Sequence, residues 1–205
     1  MGYSRAGFDV TGVDIAPQPN FPFEFKQADA LTFPLDGFDL IHASPPCQAH
    51  TTMSNRWRGA GGKADTHVDL IAMTRRRLLK AGTPYVIENV PGARKFLISP
   101  FVLTGEMFGL RVHRPRLFES SLPLTPPEKP SASKRSIGVY GKAHDGRLLW
   151  RRKDGSEQRA AGSLKEARAA MGMPWASWRG CAEAIPPAYT EWVGGALLAE
   201  VLAAR

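Results

Sequence analysis

Phe38-Asp39-Leu40-Ile41-His42-Ala43-Ser44-Pro45-Pro46-Cys47-Gln48 is the stretch that decides the fold. The run from Phe38 to Ala43 reads as a buried strand, apolar over most of its length. Two prolines end it. A proline has no N–H for the ladder of a central strand, so the chain must turn out of the sheet at this point. In an open α/β sheet, the loop leaving a strand's carboxyl end is where ligands bind. Cys47, placed there by a stiff Pro-Pro turn, is a candidate nucleophile. The bland alternative is a buried structural cysteine, which is what most free cysteines are.

Outward from this stretch, Met1–Gly7 reads as the tail of a helix closed by Gly7. Phe8–Asp14, Phe25–Ala28 and Phe101–Thr104 read as strands, and Tyr85–Ile87 as a strand delivering Glu88. Asp65 is expected to cap a helix that runs to Ala81, with Gly82 and Pro84 as stop signals. Val68, Ile71, Ala72, Leu78 and Leu79 would form its core face, and Arg75, Arg76 and Arg77 a solvated one. Pro91–Leu97 reads as a turn or short helix. Phe108–Val112 and Leu117–Glu119 flank Arg114 and Arg116 and are expected to form a hairpin-like pair. Ile137–Tyr140 and Arg147–Trp150 are expected to form a second small hairpin. Ser163 and Glu166 make a capping box for a helix to Met171, and a last helix spans Pro187–Leu202.

A chain of 205 residues with 43% hydrophobic content is one domain, with room for a small appendage. No stretch is long and apolar enough to span a membrane, and the first residues do not read as a signal peptide. The two cysteines, Cys47 and Cys181, make no disulfide framework. Together these features point to a cytoplasmic protein. The five histidines are dispersed, and no metal-ligand spacing occurs, so no metal site is expected. The net charge is +8, and Lys129–Arg168 alone holds eleven Lys or Arg against four Asp or Glu. A cluster this dense suits a polyanion, nucleic acid first. The polar stretch Gln48–Lys63, with Arg56, Trp57 and Arg58 before a glycine run, suits a DNA strand.

Pro-Pro-Cys at 45–47, Glu-Asn-Val at 88–90 and Arg-x-Arg at 114–116, in this order, resemble the DNA cytosine-C5 methyltransferases. The resemblance covers roughly residues 2–125 and again 171–205. It implies a Rossmann-like S-adenosylmethionine-dependent methyltransferase sheet with helices on both faces. It also implies a catalytic core over 1–125, a small basic target-recognition lobe over 126–162, and C-terminal helices over 163–205 that return to the core. Cys47 would be the nucleophile, Glu88 its acid partner on the base, Arg116 the holder of the base's O2 oxygen and Arg114 its brace. S-adenosylmethionine would be held by Asp14, Ile15, Asp29, Ala30 and Pro45. Gln48, Arg56, Arg58 and Lys63 would meet double-stranded DNA from a loop that closes over a flipped base. The resemblance implies a monomer acting in the cytoplasm and leaves open whether a cognate restriction endonuclease accompanies it, while the small, basic, Ala/Arg/Gly-rich composition suggests a bacterial or phage type. Two other readings stand beside it: a catalytically silent nucleic-acid-binding relative, and an RNA cytosine-C5 methyltransferase.

The sequence departs from the family at Glu183-Ala184, where the usual Gly-Asn is absent, and at its start. The family begins with a strand and a Gly-rich turn for the cofactor's methionine end, and no such motif occurs in this sequence. Loss of that central strand is expected to leave two neighbouring strands unpaired and to open a groove in the core. A start codon farther upstream is the expected explanation.

Overall fold

The computed structural model describes residues 1–46, 70–128, 130, 135–141, 145–151 and 153–203. These residues form a mixed α/β protein with open sheets, divided into two compact units. One unit comprises Gly7–Phe101, Leu117–Leu124 and Ala196–Arg205; the other comprises Met1–Ala6, Val102–Arg116 and Thr125–Gly195.

The unit beginning at Gly7 is built on two parallel strand pairs, the second extended by an antiparallel strand. Strand β1 (Thr11–Asp14) pairs with β2 (Glu24–Gln27), Asp14 lying opposite Gln27. A second sheet has the order β3-β4-β6-β5, formed by β3 (Ile41–Ala43), β4 (Tyr85–Asn89), β5 (Phe101–Leu103) and β6 (Arg116–Ser120). β3 and β4 are parallel, and the connection between them contains helix α2 (Ile71–Ala81), as a parallel crossover requires. Every residue of β4 is buried, so its near-continuous apolar run marks a central strand.

Helix α2 buries Ile71 and Leu78, which lie seven residues apart on one stripe. Ala72 and Leu79, expected in the core, are exposed because each sits one residue, about 100°, off that stripe. Arg75, expected on a solvated face, instead lies on the buried stripe. Its Nε and Nη2 bond the two oxygens of Glu119 at 2.6 Å each, and Nη2 also donates to the Phe96 carbonyl. Arg77 likewise turns inward and donates to the Phe33 carbonyl at 2.6 Å. Gly82 ends the helix in the left-handed conformation that only glycine adopts at little cost. Asp65 and Val68 lie outside the described residues. Leu117–Glu119 does not fold back on Phe108–Val112: it runs antiparallel to β4, with Glu88 opposite Phe118. Phe108 instead closes a 3₁₀ turn, Gly105–Phe108.

Among the described residues, the unit beginning at Met1 contains α1 (Gly2–Arg5), the 3₁₀ turn Gly105–Phe108, a three-stranded sheet and three further α-helical segments. Its strands β7 (Arg135–Gly138), β8 (Leu148–Arg151) and β9 (Glu157–Ala160) have the order β7-β9-β8. The expected hairpin is therefore absent: β9 lies between its two arms, parallel to β7 and antiparallel to β8. Helix α3 (Leu164–Met171) is capped as its sequence demands. Ser163 Oγ accepts from the Glu166 N–H at 3.2 Å, and the Glu166 carboxylate accepts from the Gly162 N–H at 2.8 Å. A short helix α4 (Trp178–Glu183) follows, then α5 (Pro187–Ala203). Val112, Ile137, Val139, Met171 and Cys181 form part of this unit's buried core. A side chain at Gly2 would collide with Thr190 and the Pro187 carbonyl, so α1 can pack on the start of α5 only through a glycine.

Candidate functional site

A cavity of about 560 Å³ lies within the Gly7 unit. Strands β1 and β3 each have one neighbour among the described residues, and both line it, through Thr11 and Val13 on one side and Ile41 and Ala43 on the other. The space therefore lies along two strand edges.

Asp14, Ile15, Asp29, Ala30 and Pro45 all line this cavity. They come from three separate stretches, and each stands at or just beyond the carboxyl end of a strand, β1, β2 or β3. That is the edge at which an open α/β sheet binds ligands. The two acids are fixed by their own turns. Asp14 Oδ1 accepts from the Ala16 N–H at 2.8 Å and Oδ2 from Gln18 Nε2 at 3.3 Å, while Asp29 Oδ1 accepts from the Leu31 N–H at 2.8 Å. Such Asx turns hold a short carboxylate in one rotamer, with lone pairs left for a ligand's hydroxyl or amino groups. Gln27 Nε2 donates to the Ile15 carbonyl at 3.2 Å and ties the ends of β1 and β2 together. Ile15 itself is 73% exposed, an apolar side chain at the cavity with room for a flat ring.

The Pro-Pro turn is also held. Asn89, buried at the end of β4, donates from Nδ2 to the Pro45 carbonyl at 3.0 Å. In the sequence Asn89 is only part of the Glu-Asn-Val motif; in the structure it holds the chain at Pro45, two residues before Cys47. Cys47 itself, with Gln48, Arg56, Arg58 and Lys63, lies outside the described residues. His42 lines the cavity, and its Nε2 lies 3.0 Å from Ser44 Oγ. Burial holds its ring down to a pKa of about 4, so it is neutral at physiological pH. His42 and Arg77 also line the cavity, although the sequence pattern places Arg77 on a solvated face and gives His42 no role. Their inward aim depends on packing between β3, α2 and the Phe33 segment, and no local pattern records it.

Glu88 sits buried in β4, and Arg116 opens β6, with its Nη1 on the Pro115 carbonyl at 2.9 Å. Neither lines the cavity. Arg114 is 1% exposed and serves the backbone of its own unit. Nη1 donates to the Val139 carbonyl at 3.0 Å and Nη2 to the Ala182 carbonyl at 2.6 Å. Its own carbonyl accepts from the Tyr189 hydroxyl at 3.0 Å. Arg114 adopts φ +33°, directly before Pro115, a conformation that a non-glycine residue holds only when its surroundings enforce it. His113 Nδ1 pairs with Glu106 Oε1 at 2.7 Å. Burial alone would raise the Glu106 pKa, but the His113 contact and other hydrogen bonds outweigh it and hold it below the ordinary range. Burial pushes the Cys181 thiol up, as befits a packed, unreactive cysteine. No helix among the described residues is long and apolar enough to cross a membrane.

No protein-family model matches the chain, and no curated protein matches it in sequence.

Proposed function

We propose that the chain is an S-adenosylmethionine-dependent methyltransferase with a Rossmann-like core. Within that class, the order of Pro-Pro-Cys, Glu-Asn-Val and Arg-x-Arg favours transfer to carbon 5 of cytosine in double-stranded DNA, in the cytoplasm. The observation that carries the reading is the convergence of Asp14, Ile15, Asp29, Ala30 and Pro45 on one cavity, although they lie in three separate stretches.

The residues present fit a nucleoside-bearing ligand. Asp14 would accept from ribose hydroxyls, Asp29 from the adenine amino group, and the exposed Ile15 would lie against the ring. When bound, S-adenosylmethionine supplies an electrophilic methyl group. Cys47, as thiolate, would add to carbon 6 of a flipped cytosine and turn carbon 5 into an enamine-like nucleophile. Glu88, protonated, would hydrogen-bond N3 and stabilise the charge that builds in the ring. Arg116 would hold the O2 oxygen, and Arg114 would brace the strand start from which Arg116 extends. After carbon 5 takes the methyl group, loss of its proton to a base and expulsion of the Cys47 thiolate restore the aromatic ring. Asn89, through Pro45, would set where Cys47 can reach.

The test is methyl transfer from labelled S-adenosylmethionine to unmethylated duplex DNA, with RNA as a parallel substrate and calorimetric binding of the cofactor alongside. The wild type is expected to methylate DNA, and Cys47→Ala to bind cofactor but transfer nothing. A wild type that binds DNA but neither binds the cofactor nor transfers a methyl group would instead be a silent nucleic-acid-binding protein. Transfer to RNA alone would reassign the substrate.

A further inference from the structure

The cavity of the Gly7 unit has two parts of different character. Its rim, at the carboxyl ends of the strands, carries Asp14 and Asp29. Its interior is lined by Val13, Phe38, Leu40, Ile41 and Leu78, all apolar. A nucleoside at the rim would account for the acids and leaves the interior unexplained. Among the described residues, β1 pairs only with β2 and β3 only with β4, and the two remaining edges both border this space. Strands of parallel sheets are ordinarily buried. β4 is buried throughout, whereas every residue of β1 and β3 is only half-buried.

The peptide groups on these edges have a defined direction. Along a parallel strand, one residue turns its N–H and C=O to one neighbour, and the next residue turns its own to the other. The Asp14 carbonyl accepts from the Ala28 N–H at 3.0 Å, on the β2 side, so Val13 turns its peptide groups away from β2 and toward the cavity. The Ile41 N–H donates to the Pro84 carbonyl at 3.0 Å, on the β4 side, so the residues next to it turn theirs toward the cavity from the opposite wall. Each wall is tied by its own bonds: Thr11 Oγ1 donates to Glu24 Oε2 at 2.9 Å, Gln27 Nε2 to the Ile15 carbonyl and Asn89 Nδ2 to the Pro45 carbonyl. The slot between them is therefore preformed. Its lining sets two carboxylates against one guanidinium, Arg77, which is engaged with the Phe33 carbonyl, so it does not suit a polyanion.

We infer that the interior of this cavity is a docking slot for a β-strand of a separate polypeptide: an extended apolar segment of about five residues that enters parallel to β1 and β3 and hydrogen-bonds to both. Main-chain hydrogen bonds to the two edges supply affinity, and alternate side chains of the segment reach the apolar lining. A lipid chain or a flat ring would leave the peptide groups of both edges unanswered. The docked strand joins the two sheets of this unit into one. It leaves Asp14 and Asp29 at the rim, so it stands or falls independently of the cofactor.

The experiment is calorimetric titration of the full chain with a synthetic peptide, a short run of valine and isoleucine flanked by lysines, together with amide hydrogen exchange. Two further peptides carry N-methyl groups on alternate residues, one at the odd and one at the even positions. The unmodified peptide is expected to bind and to slow exchange of the Val13 amide at least about tenfold, while the Gly12 amide, turned toward β2, keeps its rate. Each N-methylated peptide is expected to bind at least about tenfold more weakly, because a strand between two edges donates to both sides. No binding of the unmodified peptide overturns the inference. So does binding that either N-methylated peptide retains in full, since the slot would then be an apolar surface or a single edge. Self-association of the chain that the peptide reverses would put a second copy in the slot. Loss of peptide binding in a chain begun at an upstream start codon would put the strand in the chain itself, and either result overturns the assignment to a separate partner.

Discussion

The acids of the cavity and the buried arginine of the other unit are both charged groups held rigidly, but by opposite means. Asp14 and Asp29 are fixed by turns two to four residues long, stand at the surface, and keep lone pairs for a ligand. Arg114 is sealed inside its unit and spends its donors on carbonyls far along the chain. A locally fixed surface charge can change identity at little expense to the fold, and so is suited to binding. A buried charge held by distant partners is part of the fold itself, and its removal leaves acceptors without donors.

Substitutions should separate the two. Arg114→Met strips donors from two carbonyls and is expected to destabilise the protein by about 3–5 kcal/mol, read from urea unfolding. The fraction that stays folded should bind S-adenosylmethionine with unchanged affinity; an equal loss of binding and stability would merge the two classes.

His42 tests the cavity side by pH. Its folded pKa of about 4 lies below the usual value of about 6.5, so between those values the unfolded chain binds more protons than the folded one. Stability that is present above pH 6.5 is therefore lost as pH falls toward 4, by up to about 3 kcal/mol. His42→Gln should flatten the slope in that window, and an unaltered slope would show that His42 is not the titrating group.

Tyr189→Phe removes the hydroxyl that reaches the Arg114 carbonyl and should cost about 1 kcal/mol, measured as a lower thermal midpoint. Asp14→Asn should change stability by less than about 0.5 kcal/mol, as surface substitutions do, while weakening S-adenosylmethionine binding at least about tenfold. A large stability loss with binding intact would place Asp14 with the structural charges instead.

The same division explains what could be read beforehand. Features written in neighbouring residues were legible: the Ser163–Glu166 cap, the Gly82 stop, the buried run Tyr85–Asn89, and acids following short strands at Asp14 and Asp29. Features made by distant partners were not. Arg75 sits in an Arg-Arg-Arg run that looks solvated until Glu119, 44 residues away, is brought to it. Strand β9 reads Glu-Gln-Arg-Ala, with no apolar alternation, because its central position is stabilised by cross-strand arginines and a buried hydrogen-bonded row. The two expected hairpins differ from the structure because partners were sought too close in sequence: Leu117–Glu119 pairs with β4, and β9 lies between β7 and β8.

Arg114 also sets a constraint on the order of folding. Its partners lie 25, 68 and 75 residues farther along the chain. Contacts of such separation must meet the entropy of loop closure before they return anything, so they form late and slow the reaction. Until Ala182 has been made the guanidinium lacks one of its two carbonyl acceptors, and until Tyr189 has been made the Arg114 carbonyl lacks its hydroxyl donor. During synthesis the set of contacts around Arg114 is therefore completed only after Tyr189 has been made.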